Sequence, residues 1–192
     1  MLAAPGAGKG TQADRLAARY GIEHIASGEI LRAEVAAATA VGEKAKDYLD
    51  RGDLVPDDLL LDIIAGRVLT AALAGGYVLD GFPRTLAQAE AAHRLAVELD
   101  GVTLQAVLHL EVGADELRSR LRARASREGR PDDTEATIEH RLEVFASQTE
   151  PLLEYYRSRE ILHTIDGERQ PDEVTAEIVA LLDSLGLGLG LG

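Results

Sequence analysis

The segment that most constrains this chain lies at its start: Ala3-Ala4-Pro5-Gly6-Ala7-Gly8-Lys9-Gly10-Thr11-Gln12, running into a stretch with apolar residues at helical spacing, Ala13, Leu16, Ala17 and Tyr20. Glycines let successive backbone N–H groups turn inward around an anion, and the N-terminus of the following helix adds positive potential. A lysine in such a loop brings a mobile charge to the β- and γ-phosphates of a nucleotide, and Thr11 is a candidate hydroxyl near Mg2+. The plainer reading is a glycine-rich turn before an ordinary helix. Departures from the common phosphate-loop pattern are visible. Ala3 stands at its first glycine, and Gly10 directly follows Lys9.

Predicted strands at residues 22–25, 77–80, 106–110 and 161–165 alternate with helices at 8–20, 27–35, 57–74 and 172–185. That alternation implies an α/β fold, a parallel sheet covered on both faces. Asp57-Asp58 reads as the cap of the 57–74 helix, and Gly75-Gly76 breaks the chain before the next strand. The 192 residues suit one domain with small inserted lobes. Hydrophobic residues make up 46 % and aromatics 4 %, so the core has to come from Ala, Leu, Val and Ile.

With 33 acidic against 20 basic residues, a formal charge of −13 argues against a nucleic-acid polymer or an anionic membrane as partner. The absence of cysteine excludes disulfides, thiolate catalysis and Cys-ligated metals. No apolar run approaches the roughly 20 residues that span a bilayer, and no secretory signal is visible, so a soluble cytoplasmic protein is expected. The dispersed histidines His24, His93, His109, His140 and His163 read as structural or surface residues, and the Leu-Gly tail at 186–192 as frayed.

The Gly-Lys-Gly-Thr-Gln form of the loop resembles the adenylate kinases and related nucleoside monophosphate kinases. Further blocks follow in that family's order: Ser27-Gly28-Glu29-Ile30-Leu31-Arg32; Asp80-Gly81-Phe82-Pro83-Arg84-Thr85 with Gln88 beyond; Arg130-Pro131-Asp132-Asp133 followed by Arg141; and Asp166-Gly167-Glu168-Arg169-Gln170-Pro171. The resemblance implies a three-layer P-loop NTPase-type fold with a five-stranded parallel sheet and two small mobile lobes. A single kinase domain over 1–185 would carry a monophosphate-binding lobe at about 27–55 and a short lid at about 124–133. With residues 125–129 alone separating Arg124 from Arg130, and no Cys, a lid without structural zinc is expected.

The same resemblance implies reversible, Mg2+-dependent phosphoryl transfer from ATP to AMP, giving two ADP, by a monomer. Lys9 and the backbone of Gly6, Ala7, Gly8, Gly10 and Thr11 would hold the donor phosphates. Arg124 and Arg169 would lie near the donor nucleotide, Arg169 through its backbone against adenine. The acceptor would meet Ser27, Arg32, Asp53, Leu54, Val55, Gly81, Phe82, Pro83, Arg84, Gln88, Arg130 and Arg141, with Leu54-Val55 an apolar wall for the base. Lys9, Arg84, Arg120, Arg124, Arg130 and Arg141 form the expected catalytic cluster, and Asp80 would orient Mg2+ through its water shell. Arg120 and Arg124 are i,i+4 and expected to face the cleft, whereas Arg118, Arg122 and Arg127 are expected at the surface. Asp132 and Asp133 read as a helix cap or a lid latch.

Other functions stay open at this point. A pyrimidine monophosphate kinase would share the fold and the loop, but Ser27 and Gln88 stand where UMP/CMP-type kinases usually carry Ala and Asn. A catalytically weak nucleotide-binding module draws support from Ala3 and the short start. A typical strand needs about 5–6 residues, whereas Met1-Leu2-Ala3-Ala4 precede Pro5. That stub reads as a truncated central strand, with the Cβ of Ala3 expected to strain the loop's first turn.

Overall fold

A computed structural model of the protein describes residues 1–99, 102–128 and 134–188. Helix α1 (Lys9–Tyr20) leaves the glycine loop, and strand β1 (Glu23–Ala26) runs into α2 (Ser27–Ala36) and α3 (Ala40–Arg51). Helix α4 (Asp57–Leu73) leads to β2 (Tyr77–Asp80) and α5 (Leu86–Glu98). Strand β3 (Val107–Glu111) is followed by α6 (Ala114–Glu128) and α7 (Glu135–Val144), a π-helical turn (Phe145–Thr149) and α8 (Pro151–Arg157). The last elements are β4 (Leu162–Asp166) and α9 (Pro171–Ser184). No helix among the described residues is long and apolar enough to cross a membrane.

Hydrogen bonding defines two two-stranded parallel sheets among the described residues, β1 with β2 and β3 with β4, rather than one continuous sheet of five strands. The first residues lie between the pairs. The Met1 nitrogen donates to Leu79 O at 2.7 Å, Leu2 N donates to Leu108 O at 2.8 Å, and Leu110 N donates to Leu2 O at 3.1 Å. Leu2 thereby forms an isolated parallel bridge with His109. A longer ladder does not form because the chain turns at Pro5-Gly6, and Pro5 has no N–H to give. Ala3 is buried without the expected strain. The loop's positive φ values fall on Gly6 (86°) and Gly8 (94°), where no Cβ opposes them.

Register places the site. In the parallel pair Ala26 lies opposite Asp80, so Ser27 and Gly81 leave adjacent strand ends on the side where α/β sheets hold their ligands. One core cluster, including Leu16, Leu108, Leu110, Ile165 and Ile178, packs behind the loop. A second, of Leu31, Ala45, Val55, Leu60, Ile64 and Phe82, supports the segment after α3 and the start of α4. Each such fully buried Leu, Ile or Phe contributes about 1.5–3 kcal/mol, which makes these clusters the floor under the charged side chains. Asp57 does not cap α4: Pro56 occupies the N-cap position, Asp57 opens the helix, and its carboxylate is used elsewhere. Thr134 caps α7, accepting from Thr137 N at 3.2 Å. Arg130, Asp132 and Asp133, with the second half of the expected lid, lie outside the described residues, as do residues 189–192 of the tail.

Candidate active site

The glycine loop presents backbone. Helix α1 begins after Gly8 with no side-chain cap and no acidic residue in its first turn, so its leading N–H groups keep their hydrogen-bonding capacity for an anion. Gly6 is where α6 comes closest. A Cβ there would sit 2.8 Å from Leu121 Cγ and 3.1 Å from Leu117 O. That close packing brings the arginines of α6 beside the loop.

Lys9 donates from Nζ to the carbonyls of Ala3 and Ala4 at 2.6 and 3.0 Å. Burial lowers its pKa to about 8; Asp80 works against the shift, while Arg84, Arg141 and Arg124 add to it. Charges from β2, the following loop, α6 and α7 thus converge on one buried ammonium. Arg84 is itself held below the usual arginine value by burial, with Arg32 adding to the shift.

Asp80, at the end of β2, has a mostly buried side chain whose Oδ1 finds no hydrogen-bond partner among the described residues. Its Oδ2 lies 4.0 Å from His24 Nε2, and His24 Nδ1 is 2.7 Å from Asp14. A buried carboxylate oxygen without a partner, next to a phosphate loop, suits a hard, hydrated cation, so the residues present fit Mg2+. Among the described residues no three His, Asp or Glu side chains cluster as ligands of a metal.

The two α6 arginines expected on one face do not act alike. Arg124 acts on Lys9, whereas Arg120 donates to Gly167 O at 2.8 Å and Glu168 O at 3.3 Å and pairs with Glu116. Arg120 therefore ties α6 to the turn after β4. In that turn the Arg169 side chain pairs with Asp166 and Glu177. Arg118 and Arg122 do not merely face solvent: they pair with Glu139 and Glu135 across to α7.

The facing cleft is lined by Ser27 and Arg32 of α2 and by Asp53, Leu54 and Val55 of the segment after α3. Gly81, Arg84, Gln88 and Arg141 complete it. Gly81 makes their approach possible, because at φ 79° a Cβ would fall 2.5 Å from Ser27 Oγ and 3.0 Å from Arg84 Nη2. Arg84 Nε donates to Gly81 O at 2.7 Å, which aims the guanidinium along the cleft. Phe82 is buried in the core beneath, and neither it nor Pro83 lines the cleft. Asp53 accepts from Arg51 at 2.8 Å and is 2.7 Å from His140 Nε2. Those hydrogen bonds, Arg51's first, hold its carboxyl below the usual range. Sequence reasoning missed His24, His140 and the carboxylate of Asp57. None carries a local signal, since each acquires its partner only through tertiary contact.

An anion loop and an arginine-lined cleft meeting at one buried lysine define a phosphotransferase, of the nucleoside monophosphate kinase class. The profile of the adenylate kinase family matches residues 1–161. The chain is 50 % identical over 182 residues to an adenylate kinase of Thermus thermophilus, covering 95 % of each. It is 46 % identical over 179 residues to one of Leptospira biflexa, covering 93 % of this chain and 96 % of the relative. Against one of Bacteroides thetaiotaomicron it is 43 % identical over 185 residues, covering 96 % and 97 %. The chain belongs to the adenylate kinase family.

Proposed function

We propose that the chain moves the terminal phosphoryl group of ATP reversibly to AMP, giving two ADP, with ATP on the Gly6–Thr11 loop and AMP in the Ser27–Gln88–Arg141 cleft. The observation that carries this reading is the cleft lined by Arg32, Arg84 and Arg141 next to the glycine loop, where Arg84, Arg141 and Asp80 act on the buried Lys9. Two phosphate chains brought there lie end to end against opposite charge.

A phosphate oxygen of AMP attacks the γ-phosphorus, and the bond from that phosphorus to the β,γ-bridging oxygen breaks. No proton has to be removed by a base, so positioning and charge neutralisation carry the catalysis. Lys9 and the loop N–H groups hold the β- and γ-phosphates. Arg32 and Arg84 hold the acceptor phosphate, while Arg124, Arg130 and Arg141 follow the transferring group. Arg120 holds the turn carrying Arg169, whose backbone faces the donor base. Ser27 and Gln88 meet the acceptor adenine, against an apolar wall of Leu54 and Val55. Mg2+ supplies further neutralisation of the β- and γ-phosphates when it arrives with ATP. Asp80, through water, and the Thr11 hydroxyl are the residues that would hold it.

The reading includes a lobe at about 27–55 and a short lid at about 124–133 that close over the nucleotides and exclude water, limiting wasteful hydrolysis. It also takes the two strand pairs and residues 1–4 as one five-stranded frame, supported by the hydrogen bonds of Met1 to Leu79 and of Leu2 to Leu108. It takes the enzyme as a cytoplasmic monomer, checked by light scattering against its 20.5 kDa mass. A coupled assay of ATP with AMP, CMP or UMP, across a Mg2+ titration, tests the substrate assignment. Two ADP formed per AMP consumed is expected, and faster turnover with CMP would overturn it.

A further inference from the structure

Gln88 is 1 % exposed, and both ends of its amide are already engaged. Oε1 accepts from the Arg84 backbone N–H at 2.7 Å, and Nε2 donates to Asp57 Oδ1 at 2.7 Å. Neither partner tolerates the reverse arrangement. A backbone N–H only donates and a carboxylate only accepts, so a flipped amide would face donor with donor and acceptor with acceptor. One hydrogen-bonding position then remains on each end: a lone pair on Oε1 and an N–H on Nε2.

We propose that Asp57, together with the Arg84 backbone N–H, sets the base preference of the acceptor cleft by holding the Gln88 amide in one orientation, selecting 6-aminopurine over 6-oxopurine monophosphates. The proposal rests on the reading that Gln88 meets the acceptor base. Adenine presents an amino donor at C6 beside an acceptor at N1, which complements the positions left on Oε1 and Nε2. Hypoxanthine reverses both, with an oxygen at C6 and an N–H at N1. In the same pose it meets acceptor with acceptor and donor with donor. An amide free to flip would accommodate either base, so discrimination depends on what holds it. Arg84 N–H cannot be removed by substitution, but the Asp57 carboxylate can.

The test is kcat/KM for AMP against IMP, which differ at this edge, measured on the same preparation so that any loss of folded enzyme cancels. Asp57→Asn keeps the shape of the side chain but can donate or accept. With the Arg84 N–H still favouring the wild-type orientation, it is expected to lower the AMP/IMP ratio by about threefold or more while the KM for ATP stays unchanged. Gln88→Ala separates the two levels of the argument. A ratio that collapses in Gln88→Ala but stays at the wild-type value in Asp57→Asn overturns the role of Asp57 and leaves the base contact standing. A ratio unchanged in both overturns the base contact and the proposal with it. In the double variant, Asp57→Asn should add nothing to Gln88→Ala; an undiminished further effect would show that Asp57 acts independently of the amide and would overturn the proposal.

Discussion

The loop around Lys9 and the cleft around Arg84 meet at the same place but are built on different principles. The loop is contiguous, residues 6–11, and what it offers an anion is backbone N–H whose directions follow from positive φ at Gly6 and Gly8. The cleft draws Arg32 from α2, Asp53 from the segment after α3, Arg84 and Gln88 from around the start of α5, and Arg141 from α7. Its polar side chains are held by one another and by backbone: Arg84 on Gly81 O, Gln88 on Asp57, Asp53 on Arg51 and His140. A backbone site tolerates changes nearby and fails when its one essential side chain goes. A side-chain network passes each change on to its neighbours.

The sharpest break of that comparison is Lys9→Met. Loss of a cation placed on the transferring phosphates is expected to cut kcat on the order of 10³-fold. Melting temperature should hold or rise, because a buried ammonium that burial disfavours has been removed. Calorimetry and the coupled assay read the two effects separately, and a variant keeping most of its kcat would refute the loop assignment. On the cleft side, Arg84→Ala should lower kcat/KM for AMP by roughly 10²-fold, the scale of one preorganised charge-stabilising donor. Because alanine keeps the backbone N–H that Gln88 Oε1 accepts from, AMP/IMP selectivity should stay near the wild-type value. An effect confined to KM for ATP would contradict its place in the cleft.

Titration sharpens the comparison further. With Lys9 near 8 in the nucleotide-free enzyme, kcat/KM for ATP should fall above about pH 8, since that ratio reports the free enzyme. Bound phosphates raise the lysine again, so kcat should persist to higher pH. Stability runs the other way. Between about 8 and the ordinary value of 10.5, the unfolded chain binds the proton that folded Lys9 has lost, so on this account stability rises with pH across that window. Lys9→Met should flatten that rise, and an unchanged slope would assign it to other groups. The smallest effect is expected at the α6–α7 surface. Arg118→Ala removes an exposed pair with Glu139 and should leave kcat within about twofold, as exposed ion pairs contribute little. A tenfold loss would place that pair in the closing motion.

Local chemistry made much of this legible. The strand at residues 77–80 is observed with the expected bounds, because a glycine break and an apolar run both act within a few residues. The glycine loop and the helix behind it follow for the same reason. Helices α3, α5, α7 and α8 were not read from the sequence. Apolar positions in α3, α5 and α7 are diluted by alanine and charge, α8 spans only 7 residues, and α3 and α7 begin at threonine caps that identify helix starts only once the neighbouring turn is known.

By itself the amino-acid sequence determined the phosphate loop, the strand–helix alternation and the supply of arginines, since these depend on φ preferences and on periodicities spanning a few residues. Tertiary structure alone decided which charge does what. Arg120 and Arg124 share a helix face, yet one holds backbone carbonyls of the turn after β4 and the other acts on Lys9. Asp57 has the sequence context of a cap and instead holds Gln88, 31 residues away. His140 reaches Asp53 across 87 residues. The strength of such contacts falls with distance in space and depends on burial, and neither quantity is encoded at the position of the residue itself.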